Sequence, residues 1–200
     1  MAIEARLERI ARSGSWRWLG WGGAVALLLT PLVAMQFTPE VNWTAGDFVF
    51  AGIMFGTVGV VMELAARASP SLAYRAGVGF ALAAAFFLIW VNLAVGIIGD
   101  ENNPSNLMFF GVVLIGITGS IVARFRPRGM AVAMSVAAAA ELLVGIVTFA
   151  FGLAKPPPPL PAQAVLIAMF AAPMMISAAL FHSAASNEST STRQGCAKPW

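Results

Sequence analysis

Apolar residues in this chain gather into six long runs separated by short polar segments. The runs cover residues 19–37, 47–66, 72–99, 106–123, 130–153 and 162–181. A helix of about 20 residues is long enough to cross the hydrocarbon core of a bilayer. The pattern therefore predicts an all-α integral membrane bundle of about six transmembrane helices, with residues 19–182 as its single membrane domain.

The composition agrees with lipid as the main solvent of the protein. Hydrophobic residues make up 59% of the 200 residues and charged residues only 10%, and the mean hydropathy is +0.81. In soluble domains about a quarter of the residues are charged. Six spans with short loops leave little chain for a separate soluble domain.

Lysine and arginine residues are distributed unevenly along the chain. In a six-span topology one side of the membrane has only Lys155. The other side has Arg6, Arg9, Arg12, Arg17, Arg67, Arg75, Arg124, Arg126, Arg128, Arg193 and Lys198. Positive residues remain in the cytoplasm, so both termini are predicted to be cytoplasmic.

Three segments lie outside the apolar runs. In residues 1–18, Ile3, Leu7 and Ile10 share one helical face, which is typical of a helix on a membrane surface, although a frayed cytoplasmic arm fits equally well. The proline-rich segment 155–161 predicts a stiff extended strap between the last two spans. Residues 183–200 are rich in serine and threonine and predict a disordered cytoplasmic tail.

Two parts of the chain are weakly alike at an offset of 59 residues. The corresponding residues are Phe50, Gly52 and Arg67 in one part and Phe109, Gly111 and Arg126 in the other. One interpretation is an internal repeat of two helices. Chance similarity between apolar helices is the other.

Glu141 is an acid in the middle of the fifth run. An ionised carboxylate in hydrocarbon is costly, so we expect the group to be protonated or to face polar groups inside the bundle. Candidate neighbours at a similar depth are Thr57, Thr118, Ser120 and Ser177, which lies beside Pro173. One interpretation is a proton or ion relay of Glu141, Thr118, Ser177 and Pro173. The preferred interpretation is a neutral acid that joins helices by hydrogen bonds.

A second group of polar residues lies on the predicted exoplasmic side. Its members are Asp47, Asn92, Asp100, Glu101 and Asn103. Their oxygens suit a hard cation or a small polar ligand. The same loops contain the helix-start patterns Thr44-Ala-Gly-Asp47 and Asn103-Pro104, so a purely structural role in capping is the alternative.

Residues for known catalytic chemistry are sparse. The chain has one histidine, His182, and one cysteine, Cys196, too few for haem ligation by two histidines or for a metal-binding cluster of cysteines. No phosphate-binding loop, paired nucleophile and base, or nucleic-acid module is recognisable. The sequence therefore predicts a protein that is not an enzyme, with no cofactor, no metal and no nucleic-acid partner.

Several runs of residues carry a family resemblance. They are residues 42–52, Tyr74-Arg75, residues 90–99 and residues 103–111. Together they resemble an uncharacterised family of small multi-pass bacterial inner-membrane proteins with no known activity, over roughly residues 42–154. The resemblance implies a bacterial cytoplasmic membrane and no particular mechanism.

Two functions are compatible with these patterns. The first is a non-catalytic binding, accessory or oligomer-forming subunit, whose partners are the lipid bilayer and a second copy or another membrane protein. The alternative is a small proton- or ion-coupled transporter or channel that uses Glu141 at the membrane midplane.

Overall fold

A computed structural model describes residues 15–154 and 160–196 of the chain, and within these ranges it contains helices and short connections but no strand. The helices are α1 (Ser15–Ala34), α2 (Ala45–Ala68), α3 (Leu72–Ala94), α4 (Leu107–Val122), α5 (Pro127–Ala150) and α6 (Leu160–Cys196), and a 3-10 turn at Pro104–Asn106 leads into α4. The predicted all-α class is confirmed.

Five of the helices are long and apolar enough to cross a membrane. They are α2, α3, α4 with its preceding turn, α5, and α6 over Ala164–Thr190. The apolar part of α1, Trp18–Ala34, is shorter. The length and apolar composition of these helices are those of a membrane protein. The sixth span, the two cytoplasmic termini and the internal repeat remain predictions.

The chain forms two compact units, Met1–Leu64 and Ala65–Trp200. Inside the first unit, α1 packs closely against glycines of α2. A Cβ atom at Gly59 would lie 2.8 Å from the ring of Trp21, and one at Gly52 would lie 4.0 Å from Leu28. Small residues on α2 therefore serve helix packing within this unit.

In the second unit, α5 packs against α4 and α6, and α6 also packs against α3. Small residues bring α4 and α5 together, since a Cβ atom at Gly119 would lie only 2.8 Å from the Cβ atom of Ala133. The apolar core between the helices includes Ala84, Leu88, Phe109, Val112, Val113, Ala137, Ala138, Phe170 and Met174. These residues surround the middle of α5.

Polar and aromatic contacts join α6 to α3. The hydroxyl of Ser177, which is fully buried, donates to the carbonyl oxygen of Gly77 at 2.7 Å. Because Gly77 has no side chain, the ring of Phe181 packs directly against its backbone. The same ring meets Tyr74 edge to face, with 5.3 Å between the ring centroids.

The turn between α4 and α5 adopts a backbone conformation that is costly for residues other than glycine. Arg124 and Phe125 have φ angles of 51° and 57°, each costing on the order of 1–3 kcal/mol. The hydroxyl of Tyr74 donates to the carbonyl oxygen of Phe125 at 2.9 Å. Tyr74 thus links α3 to this turn and stabilises its conformation.

The predicted disordered tail begins at residue 183, whereas α6 continues to Cys196. Ala184 and Ala185 are buried, which anchors this part of the helix. Hydroxyl groups bond to backbone carbonyls of the preceding turn at Ser183, Ser186, Ser189 and Thr190. Polar residues that favour disorder in water thus find partners within the helix itself.

Two other boundaries differ from the sequence pattern or fall outside the described ranges. The third predicted run reaches residue 99, whereas α3 ends at Ala94, because Gly96 and Gly99 adopt φ angles of 71° and 75° and turn the chain. Most of the predicted N-terminal arm (residues 1–14 of 1–18) and most of the proline strap (residues 155–159) lie outside the described residues, and the last four residues of the arm belong to α1.

We expect Tyr74→Phe to lower the free energy of unfolding by about 1–2 kcal/mol, because the carbonyl oxygen of Phe125 loses its partner. At about 2–4 °C per kcal/mol for a chain of this size, thermal unfolding in detergent, followed by tryptophan fluorescence, measures this loss. Thr57→Val is the control, since this exposed hydroxyl bonds only within its own helix. Equal Tm values for the two variants would contradict a role of Tyr74 in fixing the turn.

Labelling of single cysteines tests the predicted topology. Cys196 is the only cysteine, so the parent reports the C-terminal side, and Ser13→Cys in a Cys196→Ser background reports the N-terminal side. We expect a membrane-impermeant maleimide to label both in inverted vesicles and neither in intact spheroplasts. Labelling of position 13 from the outside would show that α1 does not cross.

Candidate functional site

Glu141 lies on the inward face of α5, where its side chain is only 1% exposed. The buried residues of α5 recur every three or four positions, which places them on one side of the helix. They are Met130, Ala133, Met134, Ala137, Ala138, Glu141, Gly145 and Thr148. Glu141 is the only ionisable residue of this face, and the side chains one turn away on either side are alanine and glycine.

The residues one helical turn before and after Glu141 show which helices lie next to it. A Cβ atom at Gly116 of α4 would lie 3.8 Å from Ala137, and Gly145 packs directly against Ile167 of α6. Because Glu141 is one helical turn from both Ala137 and Gly145, it lies between α4 and α6. This is the level of the apolar core described above.

Neither carboxyl oxygen of Glu141 has a hydrogen-bond partner among the described residues. The predicted partners bond elsewhere or not at all. Thr57 and Ser120 donate to carbonyl oxygens of their own helices, Ser177 donates to Gly77, and Thr118 is exposed without a described side-chain bond. Among the described residues, Glu141 therefore does not form the predicted hydrogen bonds to other helices.

Pro173 lies inside α6, one turn before Ser177. Since proline has no N–H, the carbonyl oxygen of Met169 receives no helical hydrogen bond from it. The helix nevertheless continues through this position. The structure thus places Glu141, Ser177 and Pro173 within one bundle, but it does not join Glu141, Thr118, Ser177 and Pro173 into a hydrogen-bonded relay.

Asn106 is the centre of the loop between α3 and α4, where its side chain is 5% exposed. Its Oδ1 atom accepts hydrogen bonds from the N–H groups of Ile97 at 3.1 Å and Ile98 at 2.8 Å. Its Nδ2 atom donates to the carbonyl oxygen of Asp100 at 2.6 Å. One amide side chain therefore provides partners for three backbone groups of the turn that follows α3.

Two further asparagines tie this loop to the helices. Asn92 of α3 donates from Nδ2 to the carbonyl oxygen of Asn106 at 3.0 Å, although its own Oδ1 atom has no partner among the described residues. Asn103 caps the turn before α4 by accepting from Ser105, and its Nδ2 atom donates to the carbonyl oxygen of Leu153 at 2.9 Å. The loop is thereby attached to the segment that follows α5.

The acids of the predicted exoplasmic site belong to two different units of the chain. Asp100 and Glu101 are exposed and accept hydrogen bonds from Asn102. Asp47 belongs to the first unit, where its carboxylate accepts from the N–H of Thr44 at 2.7 Å. The predicted capping patterns at Thr44 and Asn103 are confirmed. Among the described residues there is no group of three or more histidine, cysteine or acidic side chains able to hold a metal ion.

A groove between α5 and α6 is a feature that the sequence pattern did not indicate. Two adjoining depressions, of about 610 and 430 Å³, share the residues Ala131, Ser135, Ala139 and His182. Small side chains on both helices leave this space open. Glu141 does not line either depression.

Asn106 is the other residue whose importance was missed. In the sequence it is one of several polar residues near a loop, and only its position at the start of an apolar run distinguishes it. The groove is harder to foresee, since it requires the relative rotation of two helices.

The fold and its buried polar groups define a helical bundle of the kind found in integral membrane proteins. Comparison with known proteins finds no matching family model, no matching curated protein and no matching solved structure. The resemblance to small bacterial inner-membrane proteins therefore remains a prediction, and the function has to be inferred from the geometry.

We expect Asn106→Ala to destabilise the protein by at least about 3 kcal/mol, because the N–H groups of Ile97 and Ile98 and the carbonyl oxygens of Ile98 and Asp100 lose a partner at once. Thermal unfolding in detergent measures the change. Asn102→Ala is the matched control in the same loop, since Asn102 is exposed, and it should change stability by less than about 0.5 kcal/mol. A similarly small effect of Asn106→Ala would refute the central role of this residue.

Proposed function

We propose that this protein is a small proton-coupled carrier of the bacterial inner membrane and that Glu141 is its proton-binding group. The observation that supports the proposal is the carboxyl group of Glu141, which is 1% exposed and has no hydrogen-bond partner among the described residues. An ionisable residue inside a membrane domain marks a functional site by default.

The lack of partners weighs against a structural role for Glu141. A buried polar group stabilises a fold only when its hydrogen bonds are satisfied, and an unsatisfied one costs about 1–3 kcal/mol. An ionised carboxylate without a partner costs far more, so the buried state holds the proton. Glu141 would therefore release the proton only when its surroundings open to water, as a carrier requires.

The attachment of α5 is compatible with such opening. No described hydrogen bond joins α5 to α4 or α6, because the hydroxyls of Ser135 and Thr148 donate to carbonyl oxygens of α5 itself. Contacts with glycine and alanine hold these helices together instead. By contrast, α3 and α6 are joined by the bond from Ser177 to Gly77. Sliding α5 past α4 and α6 would break no described hydrogen bond between helices.

The second candidate is a non-catalytic accessory or oligomer-forming subunit with a membrane protein or a second copy as partner. It is supported by the continuous apolar row on α4, where Leu114, Ile117 and Ile121 are each more than half exposed. This row suits a partner helix as well as lipid. Both candidates describe a protein that is not an enzyme.

Glu141→Gln tests the proposal in proteoliposomes. We expect the parent to show a flux of protons under an imposed pH gradient and the variant to lose at least about 90% of it, since glutamine cannot exchange a proton. Glu40→Gln is the control, because Glu40 is an exposed acid in a loop. Equal flux in the parent and Glu141→Gln would contradict the proposal.

Stability of a second variant distinguishes the two candidates. If Glu141 is retained for proton binding at the expense of stability, Glu141→Leu should unfold at the same temperature as the parent or higher, because it removes an unsatisfied buried group. If Glu141 instead stabilises the bundle, the variant should unfold at a lower temperature than the parent. The latter result, together with a parent that shows no flux, would favour the accessory subunit.

A further inference from the structure

The groove between α5 and α6 changes character from one end to the other. At the end near the α4–α5 turn it is lined by Arg128 of α5 and by Ser186 and Ser189 of α6. Farther along, its lining is apolar and includes Leu142 and Met175. His182 and Ser135 lie between these ends and belong to both depressions. The groove is thus polar and cationic at one end and apolar at the other.

No acidic residue lines the cationic end of the groove. The guanidinium group of Arg128 is exposed and forms no described hydrogen bond or ion pair. The acid Glu188 lies on the same part of α6 but does not line the groove. Arg124 and Arg126 precede Arg128 in the turn and add to its positive potential. This end therefore favours an anion.

The start of α5 adds to this preference. Its first turn holds no acidic residue, and its N-cap, Arg126, provides no side-chain cap. The N-terminus of a helix carries a partial positive charge that favours anions and disfavours arginine. Three arginines beside this terminus are mutually repulsive, and an anionic group in the adjoining groove would offset that repulsion.

The length of the groove matches a single leaflet. From Arg128 to Leu142, α5 rises about 21 Å at 1.5 Å per residue. Half of a bilayer with its headgroups measures about 20–22 Å, whereas a crossing helix would contact a groove over about 30 Å. A lipid therefore fits the groove better than a transmembrane helix does.

We propose that this groove binds one anionic phospholipid, whose phosphate contacts Arg128 and His182 and whose acyl chain lies over the alanines towards Leu142 and Met175. Lipid binding here does not require proton binding at Glu141, whose side chain does not line the groove. Basic pockets between transmembrane helices near the membrane surface are typical sites for anionic headgroups. The polar end at Arg128 matches the headgroup of such a lipid, and the apolar end at Leu142 and Met175 matches its acyl chain.

Native mass spectrometry of the full chain in detergent, with added phosphatidylglycerol or phosphatidylcholine, tests the site. We expect one phosphatidylglycerol to be retained about ten-fold better than phosphatidylcholine. Arg128→Gln should reduce this retention about ten-fold, because a charge-assisted contact to phosphate is lost. Arg126→Gln is the matched control, since it removes the same charge from a residue that does not line the groove.

A second variant tests the apolar part of the groove without changing the charge. Ala139→Leu should fill the part of the groove that both depressions share and so reduce retention of phosphatidylglycerol. Ala172→Leu, on an exposed part of α6 outside the groove, should leave retention unchanged. Excess inorganic phosphate should not displace the lipid. Equal losses in both arginine variants, unchanged retention in Ala139→Leu, or a polypeptide partner lost from that variant would each overturn the proposal.

Discussion

In hydrocarbon a polar group has no water to bond to, and the structure of this protein depends on that constraint. Helices satisfy their backbone groups internally, and most hydroxyl groups of the spans donate to a carbonyl oxygen one turn earlier. Where the chain must leave a helix in a buried place, Asn106 replaces water for the N–H groups of Ile97 and Ile98. The carboxyl of Glu141 breaks this rule, which is why the functional proposal begins there.

Small residues decide which helices are firmly joined. Glycine and alanine let α4 and α5 approach closely, but such contacts provide only dispersion forces and no directional bonds. The pair α3 and α6 combines close packing at Gly77 with the hydrogen bond of Ser177 and the edge-to-face contact of Tyr74 and Phe181. The bundle therefore has a firmly joined pair of helices beside a helix, α5, that no described hydrogen bond joins directly to α4 or α6.

The long apolar runs predicted the helices well, because a helix is one of the few structures that satisfy their backbone hydrogen bonds in lipid. The caps at Thr44 and Asn103 were also predictable, since they depend on residues a few positions apart. The partners of Glu141 were not, because hydroxyls at the right depth can face any direction and here face their own helices. The continuation of α6 beyond residue 182 was not predicted for a related reason. The composition of this segment, rich in serine and threonine, favours disorder, but it does not show that the hydroxyl groups can bond to carbonyl oxygens of their own helix.

The position of α5 connects the buried acid to the groove. Ala138 belongs both to the apolar core around Glu141 and to the lining of the groove, so the two sites are neighbours on one helix. A shift of α5 that brings water to Glu141 must also change the width of the groove, because α6 is fixed to α3. A lipid that fits the groove in one position of α5 therefore favours that position, and its release would accompany the other. Binding in the membrane leaflet and proton binding in the interior would then be coupled through the displacement of a single helix.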